Sequence, residues 1–278
     1  MSDLSAISRP SRLSNIARKR ALMLLQDCKG KLVASPVLSG TRRERDRRRF
    51  KEILAEATQD LSRDLDDISQ PRLEEHVARF FTGKLGEVKI DGLHWIHCPL
   101  LYLICRRLRP SLVVETGVWW GFSSSFILQA LQHNGTGTLY SIDLPNATYV
   151  TQRAQREMYV QDDAFFPPAA TTGWLVPEEL KHRWKLIVGR SSEMLPSLLK
   201  DLQQINVFCH DSEHTYENMM FELTAAWPIL SSPGAIIADN ADWGKDAFAE
   251  FGRNVGLAPT YYRDIVRGVP EYVGMITK

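Results

Sequence analysis

Asp211 and His214 stand three residues apart, just past the apolar run Ile205–Cys209, and Asp239 and Asn240 close a second run beginning at Ala235. Asp211, Asp239 and Asn240 offer three oxygen ligands and no sulfur. Such a set, left partly open, suits Mg2+, with Mn2+ as its substitute. His214 titrates near neutral pH, so it can take a proton from a group held beside that ion. A further feature lies upstream, where Glu115-Thr-Gly117-Val-Trp-Trp-Gly121-Phe-Ser123 follows another apolar run and opens a helical stretch. Gly117 and Gly121 permit a sharp turn and a close ligand approach. The helix that follows aims free N–H groups at the ligand. The spacing departs from the G-x-G-x-x-G of dinucleotide sites, and Trp119 and Trp120 take the room a pyrophosphate needs. Asp143, 22 residues after Gly121, ends the next run, where a carboxylate can accept both hydroxyls of a ribose. The pattern predicts a nucleoside without pyrophosphate, next to a metal and a base. The plainer readings are that Asp143 caps a strand, that Asp239-Asn240 is a polar turn and that His214 is structural.

These groups need a scaffold that brings strand ends together. Five short apolar runs, 111–115, 138–143, 184–188, 205–209 and 235–239, alternate with helical stretches at 121–133, 191–202 and 214–227. Continuous apolar strands between helices argue for a parallel sheet covered on both faces. The stretches 260–264 and 271–276 read as a closing hairpin. The expected fold is α/β: a doubly wound, mostly parallel, Rossmann-like seven-stranded sheet with helices on both faces. Ligands bind such sheets at the C-terminal strand edge, where Asp211 and Asp239 fall. A helical extension over 1–84 precedes this domain at 85–278. Within the extension, residues 41–68 form an amphipathic helix, capped near Thr41 or Ser39, whose arginines read most simply as a solvated face. Residues 144–183 make a long insertion rich in aromatics (Tyr149, Tyr159, Phe165, Phe166, Trp174), the profile of a lid over an acceptor pocket. A helix at 98–107 follows His94, Trp95 and His97, which could line the same cleft or merely pack.

With these motifs in order, residues 85–278 resemble the class I S-adenosylmethionine-dependent methyltransferases, and among them the metal-dependent catechol-type and bacterial macrolide and cephalosporin O-methyltransferases. The resemblance implies that Glu115, Gly117 and Gly121 floor the cofactor site. It implies that Ser123 holds the methionine carboxylate and Asp143 the ribose. Ser191 and Ser192, in Gly189-Arg-Ser-Ser-Glu-Met-Leu-Pro, correspond to the segment that contacts adenine. His210-Asp211-Ser-Glu-His214-Thr-Tyr216-Glu217 resembles the stretch that supplies both a metal ligand and the base, so Asp211 borders cofactor and metal alike. Asp239-Asn240 matches the acid–amide pair of the catechol type, whereas several bacterial relatives carry two acids. The implied cofactors are S-adenosylmethionine and Mg2+ or Mn2+. The implied reaction is methyl transfer to a hydroxyl of a small molecule, such as a natural product, phenol or sugar.

Composition narrows the class without choosing an acceptor. The chain has 278 residues, 44% hydrophobic and 24% charged, with net charge +1, which suits a soluble globular protein and no polyanion binder. Charge is uneven: residues 1–51 hold 14 Lys or Arg against 4 acids, and residues 52–80 hold 3 against 8. Four scattered cysteines without zinc spacing point to a reducing, cytoplasmic setting. A small-molecule acceptor and a homo-oligomer are expected, with neither nucleic acid nor membrane as partner. Three alternatives stay open: a metal-independent methyltransferase acting on N, O or C, a non-catalytic nucleoside-binding protein, and an RNA-modifying enzyme that docks through the arginine-rich helix.

Overall fold

The computed structural model describes residues 51–59 in part, 96–144, 172–243, 246–266 and 269–278. The chain divides into two compact units, Met1–Thr41 and Arg42–Lys278. The first lies outside the described residues, as do the arginine-rich segment 41–50, the expected boundary at 84/85, His94, Trp95 and the aromatics from Tyr149 to Phe166.

The second unit is built on one seven-stranded sheet. Its strands are β1 (Leu112–Thr116), β2 (Thr138–Asp143), β3 (Trp184–Val188), β4 (Ile205–His210), β5 (Leu230–Ala238), β6 (Thr260–Val266) and β7 (Val269–Thr277). Their order is β3-β2-β1-β4-β5-β7-β6. The first five run parallel, and β7 pairs antiparallel with both β5 and β6. The expected doubly wound α/β fold is therefore present. Its helices are α1 (His97–Leu108), α2 (Phe122–Asn134), α3 (Ser191–Leu202), α4 (Tyr216–Ala226) and α5 (Ala247–Asn254).

Strand alternation sorts the core into two layers. Val113, Leu139, Val207, Cys209, Ala235 and Ile237 face α1 and α2. Val114, Ile142, Phe208, Ile236 and Ala238 face α3, α4 and α5. Burial of Leu100, Leu101, Tyr102, Leu103 and Ile104 anchors α1, each such side chain contributing roughly 1.5–3 kcal/mol. The far end of α1 is tied to α2 by polar bonds: Arg106 Nη1 donates to Asn134 Oδ1, Arg109 Nη2 to the Asn134 carbonyl, and Asn134 Nδ2 to the Cys105 carbonyl. That tie fixes where α1 begins, at His97. The described residues of 51–59 are helical. Leu54 enters the same core layer as α1, and Lys51 Nζ lies 2.7 Å from Glu179 Oε2. Among the described residues, no helix is long and apolar enough to cross a membrane.

Candidate active site at the C-terminal edge of the sheet

The register of the parallel strands lines up four of the expected residues. Glu115 pairs with Ser141 on one side and Cys209 on the other, and Cys209 pairs with Ile237. Two residues further along each strand stand Gly117, Asp143, Asp211 and Asp239. The ladder continues into this row: Gly117 N donates to Ile142 O, Asp211 N to Thr116 O and Asp239 N to His210 O, at 2.8–2.9 Å. Alternation then turns Glu115, Asp211 and Asp239 toward the α1 side, with Cys209 and Ile237. It turns Thr116 and His210 toward α4.

Gly117 is required at this row for a reason other than ligand approach. Its φ is +84, and a Cβ there would lie 2.0 Å from the Asp211 carbonyl oxygen and 2.4 Å from its carbon. The bare backbone lets β1 and β4 converge, and so sets the position of Asp211. Gly121, φ +87, serves a similar packing: a Cβ would meet Val176 Cγ2 at 2.6 Å and Gly173 Cα at 2.9 Å. Backbone bonds from Gly173 N to Trp119 O and from Leu175 N to Trp120 O strap the loop to the segment closing the insertion. Trp119 and Trp120 stack with centroids 4.5 Å apart, and Trp174 meets Trp120 edge-on. Trp174 thus belongs to the core side of the loop.

Asp143 borders the loop as expected. Its Oδ1 accepts from Val118 N at 3.0 Å and its Oδ2 from the Thr172 hydroxyl at 2.9 Å. Burial pushes its carboxyl above the ordinary value, and these bonds work against that rise. Glu115 is fully buried beneath. Its two oxygens accept from the hydroxyls of Ser123, Ser124 and Ser141 at 2.6–2.7 Å. Burial still dominates and raises Glu115 to about 7. The Ser123 hydroxyl proton is therefore committed to Glu115, and the α2 backbone N–H groups are the donors left for an anion. Ser191 Oγ donates to Asn218 Oδ1 at 3.4 Å, while Ser192 is exposed on the first turn of α3.

The acid cluster sits at the other end of the row. Asp211 is 22% exposed and Asp239 only 2%. Burial, then the charges of Asp239 and Glu115, push Asp211 well above the carboxylate range. Two acids so placed oppose each other's ionisation, a strain that a proton or a cation would relieve. Asn240 stands beside them: it is 7% exposed, its Nδ2 donates to Asp239 Oδ2 at 3.0 Å, and its Oδ1 has no hydrogen-bond partner among the described residues. His214 Nε2 lies 3.8 Å from Asp211 Oδ1, and its ring meets His210 and Trp243 edge-on. Thr215 caps α4 by accepting from Asn218 N, which holds the short turn carrying His214.

Two groups join the cluster that the sequence does not assign to it: His97, which it leaves open between lining the cleft and packing, and Glu222, which it does not single out. His97, fully buried, places Nδ1 3.9 Å from Asp211 Oδ2 and 3.7 Å from Asp239 Oδ1. Glu222, on α4, accepts from Ser212 Oγ at 2.7 Å and Asn218 Nδ2 at 3.1 Å. Its other oxygen takes Thr116 Oγ1 at 2.5 Å and His210 Nδ1 at 2.6 Å. Burial opposes its ionisation, but the His210 charge and the donors around it outweigh burial and hold Glu222 at about 2. Ser212 follows Asp211 directly, so Glu222 braces the β4 end from beneath.

Residues 114–241 match a family described as a methyltransferase domain. No curated protein matches the chain. Among solved structures, the O-methyltransferase TomG of Streptomyces achromogenes, involved in tomaymycin synthesis and bound to S-adenosylmethionine, is 17% identical. It aligns over 82% of this chain and 90% of its own, with TM-score 0.45. The Bacillus cereus O-methyltransferase bound to S-adenosylhomocysteine is 12% identical over 79% and 96%, with TM-score 0.47. At these scores the assignment rests on the strand order and the domain match.

Proposed function

We propose, from the match of residues 114–241 to a methyltransferase-domain family, that the chain moves the methyl group of S-adenosylmethionine to a hydroxyl of a small molecule. The observation that carries this reading is the row Gly117–Asp143–Asp211–Asp239, which sets a candidate ribose acid and a candidate metal site a few strands apart on one edge. Asp143 would accept the ribose hydroxyls, with the glycine loop and the start of α2 around the rest of the nucleoside and its amino-acid tail. Ser191 and Ser192 would lie toward adenine.

Asp211, Asp239 and Asn240 would hold a divalent cation. Such an ion lowers the pKa of a hydroxyl bound to it and fixes its direction. The sulfonium is reactive already, so the chain's tasks are alignment of acceptor and methyl group and removal of one proton. His214, 12% exposed and 3.8 Å from Asp211, is placed to receive that proton as general base. Asp211 and the capped turn hold its ring over the site. The insertion at 144–183 would supply the acceptor's surroundings.

The test is calorimetric titration of S-adenosylhomocysteine with Mg2+ and with chelator, followed by methyl transfer to phenol, catechol and glycoside hydroxyls. Micromolar binding in the wild type, lost in Asp143→Ala, supports the cofactor site. Turnover lost in His214→Ala with binding retained supports the base. Absence of binding under both conditions refutes the proposal, and turnover indifferent to chelator favours a metal-independent methyltransferase.

A further inference from the structure

The oxygen donors alone leave one feature unexplained: an imidazole stands inside their circle. His97 is the first residue of α1, and one donor atom from each of His97, Asp211 and Asp239 lies within 4.8 Å of the other two. The residues around it on α1 are apolar and buried. A polar ring in that setting is costly unless it gains strong partners.

We propose that His97 Nδ1 is a nitrogen ligand of the cation, and that the site therefore takes a first-row transition ion such as Mn2+ in preference to Mg2+. The inference rests on the metal-assisted reading above and narrows it. Distance allows it: two donors each ~2.1 Å from one ion stand at most ~4.2 Å apart, and the two nitrogen–oxygen separations are 3.7 and 3.9 Å. Donor chemistry points the same way, since imidazole suits transition ions while Mg2+ prefers oxygen alone. Asn240 Oδ1, buried and without a hydrogen-bond partner beside Asp239, supplies a further donor that a cation satisfies.

The other ring nitrogen has a matching neighbour. Nε2 lies 3.4 Å from Cys209 Sγ. A ligating Nδ1 must present its lone pair, so the single ring proton of the neutral imidazole sits on Nε2 and faces the sulfur, a weak acceptor. The sulfur thus orients the ring and does not bind the ion. The competing arrangement is an imidazolium that neutralises the two acids in the ion's place.

Pulsed electron paramagnetic resonance on the metal-stripped full chain reloaded with Mn2+ separates the two. Wild type and His214→Ala should both show the nitrogen modulation of a directly bound imidazole. His97→Ala and His97→Asn should lose it while keeping the wild-type circular dichroism spectrum. Mn2+ affinity should fall at least tenfold in the His97 variants and Mg2+ affinity less than threefold. Mn2+ bound by the wild type without nitrogen modulation, or modulation that vanishes in His214→Ala, overturns the role of His97 and leaves the oxygen ligands standing. A wild type that binds neither Mn2+ nor Mg2+ overturns the metal reading and this inference together.

Discussion

Replacing Glu115 by Gln tests the electrostatics beneath the glycine loop. Glu115 is raised from an ordinary 4.5 to about 7, chiefly by burial. The sign follows from the two states. Below about 4.5 both are protonated and the residue costs nothing. Between 4.5 and about 7 the unfolded chain ionises and the native one resists, so stability falls as pH rises. Above that window both are ionised and the loss is complete. The displacement amounts to about 3 kcal/mol, or roughly 10 °C of melting temperature for a domain of this size. The amide can keep the local bonds. Its oxygen replaces Oε2 and accepts from Ser124 and Ser141, and its nitrogen replaces Oε1 and donates to a rotated Ser123 hydroxyl. Thermal melts of both proteins from pH 4.5 to 8.5 should give a difference that grows in the variant's favour across the window and is flat above it. A packing cost of the amide moves the whole difference curve and leaves its shape. Parallel melting curves at every pH would refute the reasoning, since they mean that Glu115 ionises normally in the folded protein.

Gly117→Ala should cost more than its conformation alone. A left-handed alanine costs about 1–2 kcal/mol, the penalty expected for Gly135→Ala, where φ is +72 and no atom lies within 4 Å. At Gly117 the added carbon also strikes the Asp211 backbone, so denaturant unfolding should show a clearly larger loss than Gly135→Ala, with weaker metal binding. Equal losses at both positions would contradict the close approach. Glu222→Gln removes the buried carboxylate that accepts from Thr116, His210, Ser212 and Asn218 and should destabilise by about 3 kcal/mol at neutral pH. Glu222 is depressed to about 2, so its contribution is present above 4.5 and is lost as pH falls through about 2. An acid-denaturation profile that matches the wild type's would rule this out.

The sheet was legible because its strands are short, apolar on both faces and separated by helices, which leaves few topologies. Asp143, Asp211 and Asp239 were legible because each stands at or just past the end of such a run, and strand parity then brings them into one row. His97 was not. Its sequence neighbours read as the start of an ordinary helix, and only the packing of α1 across β4 and β5 brings it to acids more than a hundred positions away. Glu222 left a fainter trace. It shares a buried helical stripe with Met219, Leu223 and Ala226, and an acid in such a stripe signals a buried partner, here His210 on the neighbouring strand. The glycines read as a sharp turn open to a ligand; what the sequence did not show is that bare backbone at Gly117 and Gly121 also admits close approach of the chain itself.

The strap between Trp119–Gly121 and Gly173–Leu175 has a consequence for divergence. Asp143 immediately precedes the insertion, and Thr172, just beyond it, bonds the same carboxylate, so the segment leaves and rejoins the scaffold at one point. A loop closed at its neck can change length at little entropic expense, about 0.6 kcal/mol per doubling, and neither end pulls on β2 or β3 when it does. Descendants of such a chain can therefore exchange this segment wholesale while inheriting the sheet edge and the hydroxyl cage around Glu115 unchanged.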